Sequence, residues 1–177
     1  MRWVAATALL WLLSPPPVVA VELVEVAPGV LVRQGVEEDF SPDNRGGIAN
    51  LVAVVGNRAV AVIDSGGSLE DGRAFLAAIR RRTPLPVSHV VDTHLHPDHV
   101  LGNAAFPDAL VVGHARLPRG LAERGPTYLD NMRQLLGDAI EGTAVVPPTV
   151  TVAVGQTMTV DLGGRRLQLR ARPTAHT

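Results

Sequence analysis

The clearest apolar pattern in the chain is a pair of five-residue runs, 51–55 and 59–63, separated by a short polar turn. Gly56, Asn57 and Arg58 form this turn, so the pattern predicts a β-hairpin. A strand with one solvated face would alternate apolar and polar residues, but both runs are apolar throughout. The hairpin is therefore predicted to lie in a sheet covered on both faces, which favours a layered α/β fold.

Shorter apolar runs predict further strands on both sides of this hairpin. Residues 21–36 alternate loosely around Pro28 and Gly29, which predicts two strands joined by a tight turn. Residues 87–91 predict a buried strand, and 109–113 another. The final runs are predicted to be antiparallel strands separated by glycine-containing turns: 149–154, 157–162 and 165–172.

Helical spacing occurs in three segments between these strands. Ser68, followed three residues later by Asp71, resembles a capped helix start, and Arg80 to Arg82 place positive charge at the helix end. Two further helical segments are predicted at 115–124 and 128–139. The apolar residues expected to pack from these helices are Phe75, Leu76, Ile79, Met132, Leu135 and Leu136.

Four potential metal ligands, His94, His96, Asp98 and His99, lie within six residues directly after the strand predicted at 87–91. On a helix, His94 and His96 would point to nearly opposite sides, whereas residues two apart in an extended segment share one face. Imidazole and carboxylate suit zinc, iron or manganese, and the chain has no cysteine to supply thiolate. The spacing therefore predicts a metal site where a strand ends.

Two other residues at strand ends require an interpretation. Asp64 follows the second strand of the hairpin, where it either orients a metal ligand from the second coordination shell or only caps a turn. Both alternatives are compatible with the spacing. His114 stands alone at the end of its predicted strand, and we interpret it as a structural residue and not as a ligand.

The composition is that of one globular domain. The 177 residues are 46% hydrophobic, which suffices for one packed core, assigned here to 21–177. Sixteen basic and seventeen acidic residues leave a formal charge of −1, and aromatic residues are few. The sequence therefore gives no indication of a nucleic-acid surface.

The first twenty residues have the pattern of an export signal. Arg2 precedes an apolar run over 3–13, prolines 15–17 interrupt it, and Ala20 offers a small residue at a cleavage site. An uncleaved anchor is the alternative, but the run is shorter than the ~20 residues of a spanning helix. We therefore predict a signal peptide over 1–20 and a periplasmic or secreted protein that has no membrane association after cleavage.

The motif His94-x-His96-x-Asp98-His99, preceded by strand-terminal Asp64, resembles that of the metallo-β-lactamase-fold hydrolase superfamily. The terminal Ala-His-Thr with His176 is similar to the segment that supplies the family's next histidine. Within the superfamily, the signal sequence and three segments are similar to the exported quinoprotein relay system zinc metallohydrolases. Those segments are 102–106, 112–115 and 146–149.

This resemblance implies an αββα sandwich of mixed α/β (α+β) class, of which the chain would hold the N-terminal portion and be incomplete at its C-terminus. It implies one zinc on His94, His96 and His176, and a second zinc in the complete protein, begun by Asp98 and His99. Asp98 would be catalytic, positioning a water that attacks an ester, thioester, lactam or lactone-like bond of a small-molecule substrate.

Two alternatives remain open at this stage. The same histidine and carboxylate ligands accept iron, so an iron-dependent redox enzyme of the same fold is the first. The second is an exported accessory or binding protein that supports a quinoprotein dehydrogenase pathway and has partners in it. The identity of the metal and the effect of ligand mutations would separate these hypotheses from a zinc hydrolase.

Overall fold

A computed structural model describes residues 21–173, which form nine strands and three α-helices. The strands are β1 (Val24–Ala27), β2 (Val30–Arg33), β3 (Leu51–Val55), β4 (Val60–Ile63), β5 (Val87–Val91), β6 (Leu110–His114), β7 (Val150–Val152), β8 (Thr157–Asp161) and β9 (Arg166–Arg170). The helices are α1 (Leu69–Arg82), α2 (Pro97–Val100) and α3 (Leu117–Leu136), and short 3-10 turns follow at Asn103–Ala105 and Gly137–Ile140. The predicted signal peptide over 1–20 and the predicted ligand His176 lie outside the described residues.

Seven of these strands form one sheet, in which they follow each other in sequence order. Strands β1 to β4 pair antiparallel, whereas β4 to β7 run parallel to one another. Parallel neighbours need crossover connections, which α1 provides between β4 and β5 and α3 between β6 and β7. The carboxyl ends of β4 to β7 therefore lie along one edge, where α/β proteins bind their ligands.

The hairpin of β3 and β4 is covered on both faces, as its uniformly apolar sequence predicts. Val62 belongs to the same buried cluster as Phe75 of α1. Ala61 belongs to a second cluster, together with Val160 of the two-stranded sheet formed by β8 and β9. Burial of each large apolar side chain contributes about 1.5–3 kcal/mol. The α/β fold class is confirmed, with the sheet lying between a helical layer and a second, smaller sheet.

The start of α1 follows its predicted capping pattern. The Ser68 hydroxyl accepts a hydrogen bond from the Asp71 backbone N–H (3.0 Å) and donates one to the carbonyl of Arg45 (2.6 Å). Such an N-cap stabilises a helix by about 1 kcal/mol. The bond to Arg45 also fixes the beginning of α1 against the loop that precedes β3.

A single helix, α3, replaces the two helical segments predicted at 115–124 and 128–139. Its buried positions recur at helical spacing on both sides of Pro126: Leu117, Leu121, Gly125, Met132 and Leu136. Pro126 removes one backbone donor, but the continuous buried face holds the helix together. Leu135, predicted to pack inward, is instead 45% exposed. No helix within residues 21–173 is long and apolar enough to cross a membrane.

The direction of β7 differs from the sequence-based expectation. Residues 149–154 were expected to pair antiparallel with the following strands, but β7 joins the main sheet, with Val112 of β6 opposite Val150 in parallel register. The reason is α3, which returns the chain along the sheet so that the next strand starts at the same end as β6. The antiparallel pairing of β8 with β9 is confirmed.

A buried ion pair links β2 to the start of α1. The Nη2 of Arg33 lies 2.8 Å from Oδ2 of Asp71, and the side chains are only 7% and 6% exposed. Arg33 Nη1 also donates to the carbonyl of Gly47 (2.7 Å), and the Gly67 backbone N–H donates to Asp71 Oδ2 (3.2 Å). Burial raises the pKa of Asp71, while the charge of Arg33 opposes this shift. The pair holds the loop between β4 and α1 in place.

Candidate metal centre

The donor motif lies where β5 ends, at the carboxyl edge of the sheet. His96 has extended backbone (φ −64°, ψ 147°), and α2 begins at the next residue. His94, two residues earlier, lies in a bend and not in the extended backbone that its spacing predicted, whereas Asp98 and His99 lie on the single turn of α2. A strand end followed at once by one helical turn directs four donors into a small region.

Three residues from two strand ends bring metal-type donor atoms together. Ligand atoms of Asp64, His94 and His99 all lie within 4.8 Å of one another. The ring centroid of His94 is 4.1 Å from that of His99 and 4.8 Å from that of His96. Asp64, which was considered only as an orienting group or a turn cap, thus lies inside the cluster.

The residues 93–102 are called the donor loop, and Asp64 holds this loop through both of its carboxylate oxygens. Its Oδ1 accepts from the Thr93 backbone N–H (2.8 Å), and its Oδ2 accepts from the Thr93 hydroxyl (2.8 Å) and contacts His99 Nδ1 (2.7 Å). The backbone of Asp64 has a φ of +59°, a left-handed conformation that aspartate tolerates better than most residues. A short acidic side chain at this position therefore satisfies both the backbone geometry and the hydrogen bonds.

His99 lies between two carboxylates. Its Nδ1 faces Asp64 at 2.7 Å, and its Nε2 faces Asp98 Oδ2 at 3.2 Å. Burial alone would lower the pKa of His99, but the hydrogen bonds and charges of Asp64 and Asp98 outweigh it and raise the pKa to about 9. Burial acts to raise the pKa of Asp98, but the hydrogen bond to His99 and the charge of His99 outweigh burial, so the pKa of Asp98 is lowered. Asp98 and His99 are therefore both charged at neutral pH in the metal-free chain. A metal that binds His99 Nε2 must displace the proton on that nitrogen.

We expect the metal-free chain to lose stability as the pH rises through about 9, because folding strengthens proton binding to His99. This contribution is complete below the ordinary histidine pKa of 6.5 and disappears above the raised value. Thermal unfolding in EDTA should show the chain several degrees more stable than His99→Gln at about pH 6, with the gap narrowing near about pH 9.5. A stability difference between the two chains that does not change with pH would contradict the stronger proton binding of His99 in the folded chain.

The loop between β4 and α1 also binds the C-terminal end of the donor loop through two backbone hydrogen bonds. The Ser65 backbone N–H donates to the carbonyl of His99 (2.8 Å), and the Gly102 backbone N–H donates to the carbonyl of Gly66 (2.9 Å). A Cβ at residue 102 would collide with the carbonyl of Ser65, so only glycine permits this approach. The two loops therefore form one hydrogen-bonded unit.

Sequence reasoning missed a buried polar network that begins at Ser65, in the loop between β4 and α1. The Ser65 hydroxyl donates to Asn103 Oδ1 (2.7 Å), and Asn103 Nδ2 donates to Asp92 Oδ2 (3.0 Å) and to the carbonyl of Val146 (2.9 Å). Ser65, Asp92 and Asn103 are all buried. Burial raises the pKa of Asp92 well above its usual range. The sequence offers one signal, the polar Asn103 directly before the apolar run 104–106.

The donor set fits a borderline divalent metal. Burial and the positive charge of His99 lower the pKa of His94, which favours the neutral imidazole that a metal requires. The remaining donors are imidazole and carboxylate, a combination suited to zinc or iron. His114, interpreted as structural, ends β6 and is not part of the Asp64, His94 and His99 cluster. The ligand and catalytic roles assigned to individual residues stay predictions.

The chain is thus an α/β protein with a candidate metal site, formed by imidazole and carboxylate donors at the carboxyl edge of its parallel strands. Residues 44–177 match the family model of the metallo-beta-lactamase superfamily. The chain belongs to this family, which confirms the resemblance inferred from its motif.

Similar proteins include both lactamases and sulfatases. The chain is 27% identical over 118 residues to a linear primary-alkylsulfatase from a Pseudomonas species, which covers 65% of this chain and 20% of that protein. The metallo-beta-lactamase from Pontibacter korlensis has a TM-score of 0.62 at 20% identity, with 84% of this chain and 59% of that one covered. A stereoselective inverting sec-alkylsulfatase from Pseudomonas has a TM-score of 0.59 at 18% identity, with 85% and 27% covered. These structural similarities establish the fold, and the chain spans between a fifth and three fifths of these relatives' lengths.

Proposed function

We propose that the chain contributes metal ligands to a zinc-dependent hydrolase acting on an ester, thioester, lactam or lactone-like bond. The observation that carries this proposal is the cluster of Asp64, His94 and His99, in a chain of the metallo-beta-lactamase superfamily. The sequence similarity to an alkylsulfatase adds sulfate esters to the candidate substrates.

In this proposal His94, His96 and His176 hold one metal, and Asp98 with His99 begin a second site. Bound zinc would supply a water of lowered pKa and polarise an oxygen of the substrate. Asp98 orients the attacking water and accepts its proton. Asp64 fixes the ring of His99 through Nδ1 and holds the backbone of Thr93, so the donor loop keeps its geometry.

Export and pathway membership form a further part of the proposal. The charged and apolar pattern of residues 1–20 supports secretion into the periplasm. Similarity of the segments 102–106, 112–115 and 146–149 to the quinoprotein relay metallohydrolases supports a partner in a quinoprotein dehydrogenase pathway.

Elemental analysis tests the metal. We expect the purified chain to contain zinc, and we expect His94→Ala and His96→Ala to lose most of it, because each removes a ligand from one ion. His89→Ala removes a histidine outside the donor cluster and should retain the wild-type zinc content. Iron in place of zinc would favour the redox enzyme. Absence of metal, or wild-type metal content in both ligand variants, would favour the accessory protein.

A further inference from the structure

A cavity of about 390 Å³ adjoins the candidate metal centre at the carboxyl ends of β5, β6 and β7. Its lining includes His94, His114 and Asp92. Because β5 and β6 are parallel neighbours, the residues that follow them open into the same space. We propose that His114 is a substrate-binding residue in this cavity, where its Nε2–H donates a hydrogen bond to an anionic oxygen of the substrate.

The hydrogen bonds of His114 define which ring nitrogen faces a ligand. Its Nδ1 accepts from the Arg116 backbone N–H (3.0 Å), so the neutral ring carries its proton on Nε2. That Nε2 is buried and has no hydrogen-bond partner among residues 21–173. A buried donor without a partner is unfavourable, and an acceptor from a ligand removes the penalty.

A second unpaired polar atom belongs to the same lining. Asp92 is 3% exposed, and its Oδ2 accepts from Asn103, while Oδ1 has no partner among the described residues. Two unpaired polar atoms from neighbouring strand ends indicate that a polar group occupies part of this cavity. A bound water would satisfy the same atoms, so the experiment has to distinguish a water from a ligand.

The cavity lining contains three arginines and one carboxyl group, that of Asp92, so its balance of charge favours an anion. The arginines are Arg116, Arg170 and Arg172, and none of them forms an ion pair with a carboxylate within residues 21–173. The rest of the lining is mostly apolar, with side chains such as Val112 and Leu169. This combination suits a small molecule that joins an apolar body to a carboxylate or a similar oxyanion.

This inference deepens the proposed function by naming a substrate class, but its test does not depend on turnover. The probe is hexanoate, added to the metal-free full chain, with 1-hexanol as the uncharged probe of similar size. We expect hexanoate to bind and to shift the ¹⁵N resonance of His114 Nε2. His114→Phe should weaken hexanoate binding about tenfold or more, because it keeps a flat ring but removes the Nε2 donor. It also removes the Nδ1 acceptor of the Arg116 N–H, so its thermal stability is compared with that of wild type.

Matched variants identify the cause of any loss. His114→Gln keeps a side-chain donor and should retain part of the affinity, whereas His89→Phe makes the same exchange outside the cavity and should bind as wild type. No binding of hexanoate by wild type, or equal binding by His114→Phe, would overturn the proposal. So would hexanol binding as tightly as hexanoate, or a water that stays on Nε2 at saturating hexanoate. A chain that binds hexanoate through His114 but holds no zinc would refute only the proposed hydrolase.

Discussion

Replacing Asp98 by asparagine should lower hydrolytic turnover by about 10²- to 10⁴-fold, the range typical for loss of a proton-accepting group. Asparagine keeps the size of the side chain, but it has no carboxylate to accept a proton from the attacking water. Substrate binding should change much less, so the loss should appear in kcat and only weakly in KM. Turnover of ester, lactam and sulfate-ester substrates by the zinc-loaded protein is the measurement.

Two further measurements separate this role from a loss of metal or of fold. Zinc content should be determined for the same preparations, since Asp98 is also a predicted ligand. Asp98 faces His99 Nε2, so the variant should also lower the pKa of His99, which NMR can follow in the metal-free chain. Asp108→Asn changes an exposed aspartate and serves as the control. Undiminished turnover in Asp98→Asn would exclude the catalytic role.

Replacing Asp71 by alanine should destabilise the folded chain by about 3–5 kcal/mol, because it leaves the charge of Arg33 buried without its partner. The same change removes the acceptor for the Gly67 backbone N–H. Urea unfolding monitored by circular dichroism measures this loss. The metal-free protein should be used, so that ligand binding does not contribute.

An exposed ion pair provides the comparison for this effect. Arg119 and Glu123 lie one turn apart on α3, with side chains 86% and 59% exposed, so Glu123→Ala should change stability by less than about 1 kcal/mol. The double variant Arg33→Met with Asp71→Leu removes both charges and should recover much of the loss. If Asp71→Ala were as mild as Glu123→Ala, the buried pair would not contribute as described.

The sequence was most informative where one short segment determines the structure. Two apolar runs around Gly56 sufficed for the β3 and β4 hairpin, and Pro97 sufficed for the extended backbone of His96 before α2. The Ser68 cap also depends on a partner only three residues away. In each case the interacting groups are neighbours in the chain, so local propensity and periodicity already contain the answer.

Features that depend on distant partners were not predictable in this way. Asn103 bonds to Ser65 and Val146, which lie 38 and 43 residues away. The parallel direction of β7 depends on where α3 returns the chain, and the continuity of α3 past Pro126 depends on tertiary packing of its buried face. The position of Asp64 beside His99 likewise arises only when β4 and β5 pair.

Loops at the edge of a sheet normally open independently of the core, because few bonds must break. The donor loop is different, since the backbone amides of Ser65 and Gly102 form hydrogen bonds between it and the loop that joins β4 to α1. That second loop is in turn held by the buried ion pair of Arg33 and Asp71 through the Gly67 N–H. Local opening around His99 therefore has to break bonds in both loops at once. The His99 end of the donor loop is thus restrained together with the neighbouring loop, and a ligand that is already ordered loses less conformational entropy on binding a metal than a mobile one.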